Sequence, residues 1–225
     1  MKITLFTLLL LSSTLGLAEK PQQAGIASAH PLATAAGHEM LAKGGNAFDA
    51  AVAVSATLAV VEQQSSGIGG GGFWLLHRAQ DGKNVMIDGR ETAPAAAHKD
   101  MYLDNHGNVI RDLMLNGPLA AAIPGEIAGF AHIAEHYGKL PLKQSLQPAI
   151  RAAENGFEVY PRLVKHIKRK QKILERYPSS KAIYLNQGQA LKVGDLLVKK
   201  DLAETFKRVA ETGCDGFYSG ETAKK

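Results

Sequence analysis

Arg90 is the residue of this sequence best suited to hold an anion. It follows the run Val85-Met86-Ile87-Asp88-Gly89, which reads as a strand, so its side chain is held by a sheet end and can face a cleft. A guanidinium presents a planar fork of donors that matches a carboxylate in two parallel hydrogen bonds. Taken alone, the position is read more simply as an exposed ion pair with Asp88 or Glu91, which contributes little. The second candidate is the run SSGIGGGG, residues 65–72. Glycine-rich loops cradle phosphates when they lead from a strand into a helix N-terminus. Here a helical pattern precedes the loop and a strand pattern follows it. No Gly-Lys-Ser/Thr accompanies it, and no acidic residue closes a dinucleotide-binding unit. Two readings remain: a tight turn entering a strand, or a loop whose bare backbone lies against a substrate or catalytic centre.

Two further patterns invite chemistry. His132-Ile133-Ala134-Glu135-His136 matches H-x-x-E-H, in which two histidines on one helix face could bind zinc with Glu135 as general base. A catalytic zinc needs a third protein ligand, and no later segment offers an obvious one. Gly138 close behind suggests an ordinary helix end, where histidines interact favourably with the helix dipole. Cys214 is the lone cysteine. It cannot close an internal disulfide, and it is read as a half-buried thiol in preference to a reactive one.

The elements that must position these groups can be read from periodicity and punctuation. Pro31 opens an alanine-rich helix to about Lys43, ended by Gly44-Gly45. Asn46 can cap the next, Ala47 to about Glu62, which is apolar nearly all round apart from Asp49, Ser55 and Thr57 and is therefore buried on most sides. Strands are expected at Phe73–His77 and Asn84–Asp88, with Asp81-Gly82 marking a hairpin. After Pro94 the chain becomes loop-like. Helices are expected at Glu126–His136, Leu142–Asn155 and Pro161–Tyr177, with Gly138 and Gly156 just past the first two. A short strand is expected at Ala182–Leu185. Asp201 is expected to cap a helix to about Thr212, and another helical pattern starts near Phe217.

The composition, 45% hydrophobic and 21% charged over 225 residues, is that of an ordinary globular chain. Lys2, the apolar run Ile3–Leu11 and the small residues Gly16 and Ala18 read as a secretory signal peptide over residues 1–18, with Glu19 as the mature start. A periplasmic or secreted location follows. The net charge of +5 is concentrated partly in Arg162–Arg176, where Leu163, Ile167 and Leu174 recur at helical spacing. That describes an amphipathic helix with a solvated basic face, and the export signal speaks against nucleic acid as its partner.

Three stretches together carry a resemblance. They are GNAFDAAVAVSATLAVVEQQSSGIGGGGF (residues 45–73), IDGRETAP (87–94) and PGEIAGFAHIAEHYGKLPLKQSLQPAIRAAENGFEV (124–159). In order and spacing they closely resemble the N-terminal half of the large subunit of the γ-glutamyltranspeptidases, and GFYSGETA near the C-terminus fits the same pattern. The resemblance runs from about Gly25 to the end of the chain. It implies an α+β fold, the four-layer αββα sandwich of the N-terminal nucleophile hydrolases, of which residues 19–225 supply only the N-terminal part.

The resemblance also implies a chemistry. In this family a precursor cleaves itself, and the new N-terminal threonine of the small subunit attacks a γ-glutamyl amide, its own α-amine serving as base. Water or an amino-acid amine then takes the acyl group, and neither metal nor organic cofactor takes part. The arginine of the Asp-x-Arg-Glu segment, here Arg90, binds the α-carboxylate of the γ-glutamyl group. Asp88 and Glu91 would orient the guanidinium, and Gly67–Gly72 would lie in the core close to the nucleophile. Position 89 is glycine, where some members carry a bulky aromatic residue. The Thr-Thr-His-x-Ser processing segment has no counterpart in this sequence. The resemblance therefore places no catalytic residue in this chain. It expects glutathione or another γ-glutamyl compound as substrate, and a small-subunit segment as partner. A non-catalytic remnant or binding subunit, and a relative acting on cephalosporin side chains or poly-γ-glutamate, are the alternatives; the reading frame beyond Lys225 discriminates the first of these.

Overall fold

A computed structural model describes residues 24–224. The signal-peptide reading of residues 1–18 lies outside the described residues. The chain opens with two packed helices, α1 (Pro31–Ala42) and α2 (Ala47–Val61). His30 caps α1 by accepting the Leu32 amide on Nδ1, and Gly44 (φ 85°) takes the left-handed conformation that ends it. Asn46 caps α2 in a reciprocal box with Asp49.

Asp49 does more than cap. It is fully buried and also accepts the amides of Lys139 (3.0 Å) and Leu140 (3.1 Å), so it fastens the start of α2 to a turn ninety residues later. Helix α2 is apolar all round because α1, α4 (Glu126–His136) and α6 (Gln147–Asn155) all pack on it.

Strands β1 (Gly72–Arg78) and β2 (Lys83–Gly89) form an antiparallel hairpin in which Gly72 pairs with Gly89. Gly82 (φ 68°) makes the turn. Alternation gives the hairpin two different faces. Trp74 and Leu76, opposite Ile87 and Val85, point inward and join the core with Ile127, Phe130 and Val60. Phe73, Leu75 and Met86 point outward and are 61%, 71% and 58% exposed.

The remaining elements are α3 (Arg111–Leu115), a 3-10 turn at Pro118–Ala120, α5 (Leu142–Ser145), β3 (Phe157–Glu158), α7 (Pro161–Leu174), α8 (Pro178–Tyr184), β4 (Leu185–Asn186), β5 (Gln189–Ala190), β6 (Leu196–Leu197), α9 (Lys200–Thr212), α10 (Asp215–Tyr218) and α11 (Gly220–Lys224). The short strands pair antiparallel, β3 with β6 and β4 with β5.

Several expectations need correction. The segment expected as a strand at Ala182–Leu185 is helix α8 up to Tyr184; Pro178 sits at its first position after an extended Tyr177, a start signal that outweighs the apolar run. Asp201 is not the cap of α9. Lys199 holds that position, and Asp201 lies in the first turn, where a negative charge suits the helix dipole. The helix expected over Leu142–Asn155 is interrupted at Leu146, because Pro148 has no amide to donate to Gln144. Helix α7 stops at Leu174, three residues short of Tyr177. The loop-like stretch after Pro94 contains α3 and the 3-10 turn. The helix expected from Phe217 is two short ones, broken at the extended Ser219.

Lys199 is the unexpected buried charge. Its Nζ donates to the Val60 carbonyl (2.7 Å) and to Gln63 Oε1 (2.8 Å), between the rings of Phe157 and Tyr184. Burial brings its pKa down to about 7. It ties the C-terminus of α2, where the glycine loop begins, to the start of α9.

Candidate active site

The three sequence stretches that are far apart in the chain meet at the end of the hairpin. The Gly89–Arg90 main chain is sandwiched between the glycine loop on one side and Gly125 on the other. A Cβ on Gly71 would stand 2.1 Å from the Gly89 carbonyl oxygen, and one on Gly125 would stand 2.3 Å from the same atom. Only bare backbone fits on either side. The two outer layers are joined directly, since the Gly70 carbonyl accepts the amides of Gly125 (3.0 Å) and Glu126 (3.1 Å). Just beyond, Thr92 and Ile123 exchange a pair of backbone hydrogen bonds. Arg90 thus stands on a main chain fixed from both sides, while its side chain is 53% exposed.

The guanidinium borders a cavity of about 620 Å³ whose wall includes Ser66, Gly69, Gly71, Glu91 and Glu126. Its Nη2 meets Glu91 Oε2 at 3.1 Å, its Nη1 donates to the Gly71 carbonyl at 3.4 Å, and its Cζ lies 5.9 Å from the centre of the Phe73 ring. Asp88 touches the same residue differently: its Oδ1 accepts the Arg90 amide at 2.9 Å, which fixes backbone and not guanidinium. The glycine run borders the cavity; within it Ile68 is buried and Gly69 exposed. The neighbouring wall on the other side of the strand, with Ile123, His132 and Tyr218, also includes Arg90.

Glycine at position 89 has a local reason. A Cβ there would come within 2.5 Å of the Trp74 ring, and one on Gly129 within 2.4 Å. The indole fills the space that a larger residue at 89 would take, so Trp74 and a bulky residue at 89 exclude one another in this arrangement.

Sequence reasoning missed Glu126. It is the first residue of α4, and an acid there looked like an ordinary N-terminal helix residue. In the fold its carboxyl lies over the start of β1, where a Cβ on Gly72 would be 3.3 Å from Oε2, and it shares the Arg90 cavity. Burial, and then the charge of Glu91, raise its pKa to about 7.

The other patterns take unremarkable places. His132 and His136 do share a helix face, with rings stacked at 4.2 Å and His136 Nδ1 3.0 Å from the His132 carbonyl. Among the described residues no group of three His, Cys, Asp or Glu side chains could hold a metal ion. Cys214 is half-buried, and burial, with Asp215 and Glu135 nearby, pushes its thiol up and away from the thiolate form. No helix of the described residues is long and apolar enough to cross a membrane.

The family model described as gamma-glutamyltranspeptidase matches residues 33–225. The glutathione hydrolase proenzyme of Escherichia coli strain K12 is 42% identical over 207 residues, which is 92% of this chain and 36% of that protein. The glutathione hydrolase proenzyme of Bacillus subtilis strain 168 is 42% identical over 201 residues, 88% of this chain and 34% of its own. The crystal structure of Helicobacter pylori gamma-glutamyltranspeptidase superimposes with a TM-score of 0.87 at 42% identity, covering 91% of this chain and 59% of that one. The chain therefore spans about a third of the length of the curated relatives it matches. The helical layer on one face of β1–β2 is part of the N-terminal nucleophile hydrolase fold, and the identities, the matched span and the superposition together show that this chain belongs to the γ-glutamyltranspeptidase family.

Proposed function

We propose that this chain forms the carboxylate-anchoring portion of a γ-glutamyl hydrolase and transferase, acting on glutathione or a related γ-glutamyl compound, with the attacking threonine supplied by a polypeptide segment beyond these 225 residues. The observation that carries the reading is Arg90: a guanidinium half-exposed on a cavity wall, on a main chain clamped between Gly71 and Gly125. An α-carboxylate would displace little to reach it, since one edge of the fork is taken by Glu91 and the other makes only the long contact to the Gly71 carbonyl. Glu91 positions the guanidinium and Asp88 positions its backbone. The outward face of Phe73, Leu75 and Met86 is the surface on which the remaining polypeptide packs, as the second sheet of the sandwich. Residues 1–18 direct export to the periplasm or medium, and N-terminal sequencing of the exported form should begin at Glu19; a retained Met1 would refute that.

The test uses the whole enzyme, this chain with its nucleophile-bearing remainder. Removing one partner of a desolvated, hydrogen-bonded charge pair costs ~2–5 kcal/mol. Arg90→Ala should therefore raise KM for a γ-glutamyl anilide by about 30-fold or more, and Arg90→Lys should recover only part of it, because an ammonium cannot make the parallel pair. A KM unchanged in Arg90→Ala would overturn the assignment. The 225-residue chain by itself should release no product from the same compound.

A further inference from the structure

The Arg90 cavity carries two carboxyl groups, and they stand in different situations. Glu91 is paired with the guanidinium at 3.1 Å. Glu126 belongs to another element, its backbone amide held by the Gly70 carbonyl at 3.1 Å, and among the described residues its side chain has no hydrogen-bond or ion-pair partner. It cannot move away freely. The start of α4 is fixed to the glycine loop by two hydrogen bonds and to α10 by the Tyr218 hydroxyl, which donates to the Pro124 carbonyl (2.8 Å) and accepts the Ala128 amide (3.2 Å). The charged and titratable groups that face it are Glu91 and Arg90 from the segment after β2, and Tyr218 from α10.

We infer that Glu126 is a specificity-determining residue of the Arg90 cavity, which admits a carboxylate-bearing ligand when its side chain is protonated and opposes it when ionised. The inference rests on the reading of Arg90 as the anchor. The charge count decides the sign. With Glu126 neutral, the guanidinium and Glu91 sum to zero. With Glu126 ionised, the cavity carries one net negative charge, and an incoming carboxylate meets repulsion from two groups and attraction from one. The pKa of about 7 places the change inside the working range of an ordinary assay, with the neutral, permissive form below it and the ionised form above. A protonated carboxyl could also donate its hydrogen to the ligand carboxylate beside the guanidinium.

The experiment is the pH dependence of KM for a γ-glutamyl anilide, measured on the whole enzyme from pH 6 to 8. KM should rise about 3- to 10-fold with pH in the wild type, the size of one unit charge acting across about 4 Å in a largely water-filled cavity. Glu126→Gln, which keeps the shape and a donor but cannot ionise, should flatten the profile to within about 2-fold. Glu91→Gln, which removes the neighbouring charge, should move the midpoint of the profile to lower pH in an enzyme that still has Glu126. A profile in Glu126→Gln as steep as the wild type's would overturn the inference. Arg90→Ala separates the two claims. If it leaves KM unchanged, the anchor itself is wrong. If it raises KM while Glu126→Gln retains the wild-type profile, the anchor stands and only the role of Glu126 falls.

Discussion

The run Gly69-Gly70-Gly71-Gly72 offers a controlled perturbation of Arg90 without touching it. A Cβ built on Gly69 has nothing within 4 Å, whereas one on Gly71 would stand 2.1 Å from the Gly89 carbonyl oxygen and 2.9 Å from the Arg90 Cα. A carbon and an oxygen that are not bonded settle at about 3.2 Å or more, so Gly71→Ala must open the sandwich by roughly 1 Å. Neither side is free to give. The loop is hydrogen-bonded to Gly125 and Glu126, and the 89–90 segment is blocked from behind by Gly125. Displacing a substrate-positioning group by about 1 Å can cost on the order of 100-fold in rate. Gly71→Ala in the whole enzyme should therefore raise KM or lower kcat/KM for a γ-glutamyl anilide by about 10- to 100-fold. Gly69→Ala, two residues away, should stay within about 2-fold. The two substitutions are chemically identical and restrict an unfolded chain equally, so a difference between them arises in the folded state. Equal kinetics for the two variants would refute the claim that the glycine run serves to let backbone pack against backbone beneath Arg90.

Two other buried groups make predictions about stability. Lys199 has a folded pKa of about 7 against 10.5 for an ordinary lysine. Between those values the unfolded state binds the extra proton, so stability should rise as pH increases from 7 towards 10.5. Lys199→Met should remove that slope in urea titrations at successive pH values; a slope of the same size in the variant would assign it to another group. Asp49 accepts three backbone amides from two separate turns. Asp49→Ala leaves those donors buried and unpaired at about 1–3 kcal/mol each, not fully additive, so a loss of about 3–5 kcal/mol is expected. Amide exchange at Lys139 and Leu140 should accelerate with it, and protection retained at both would contradict the assigned role.

Much of the fold was legible because local signals agreed with tertiary ones. Pro31, Gly44 and Asn46 bracket α1 and α2, and the two strands and their turn stand where the apolar runs and Asp81-Gly82 put them. The failures share a cause. Ala182–Tyr184 has no periodicity long enough to declare itself, and only Pro178 upstream marks the helix. Lys199 and Asp201 both lie where a cap is expected, and the shorter acid is the usual choice; tertiary contacts to Val60 and Gln63 put the lysine there instead. At the site, the type of Arg90 and its place at a strand end were readable. Glu126 was not, because nothing in Pro-Gly-Glu reveals that Gly70 and Glu91 will come to rest beside it. Asp88 shows the limit from the other side: adjacency in sequence suggested a contact with the guanidinium, and strand geometry gave it the amide.

The strength of the anchor and the bareness of the hairpin's outer face are one problem. At 53% exposure, an arginine–carboxylate contact is worth about 0–1 kcal/mol, because water competes for both ions. The loss expected for Arg90→Ala is several times larger and requires a desolvated pair. Phe73, whose ring lies 5.9 Å from the guanidinium carbon, belongs to the same uncovered face as Leu75 and Met86. Whatever layer packs on those three side chains must also take water from around Arg90 and lower the dielectric in which it meets its ligand. On the proposed reading, that layer is the remainder of the polypeptide that brings the threonine, so nucleophile and effective anchor arrive together. Leu75→Glu, on the covered face but remote from the ligand, should then weaken γ-glutamyl binding through Arg90 along with assembly. An enzyme that assembled normally with Leu75→Glu and bound its substrate as before would show that the face is not the covered one.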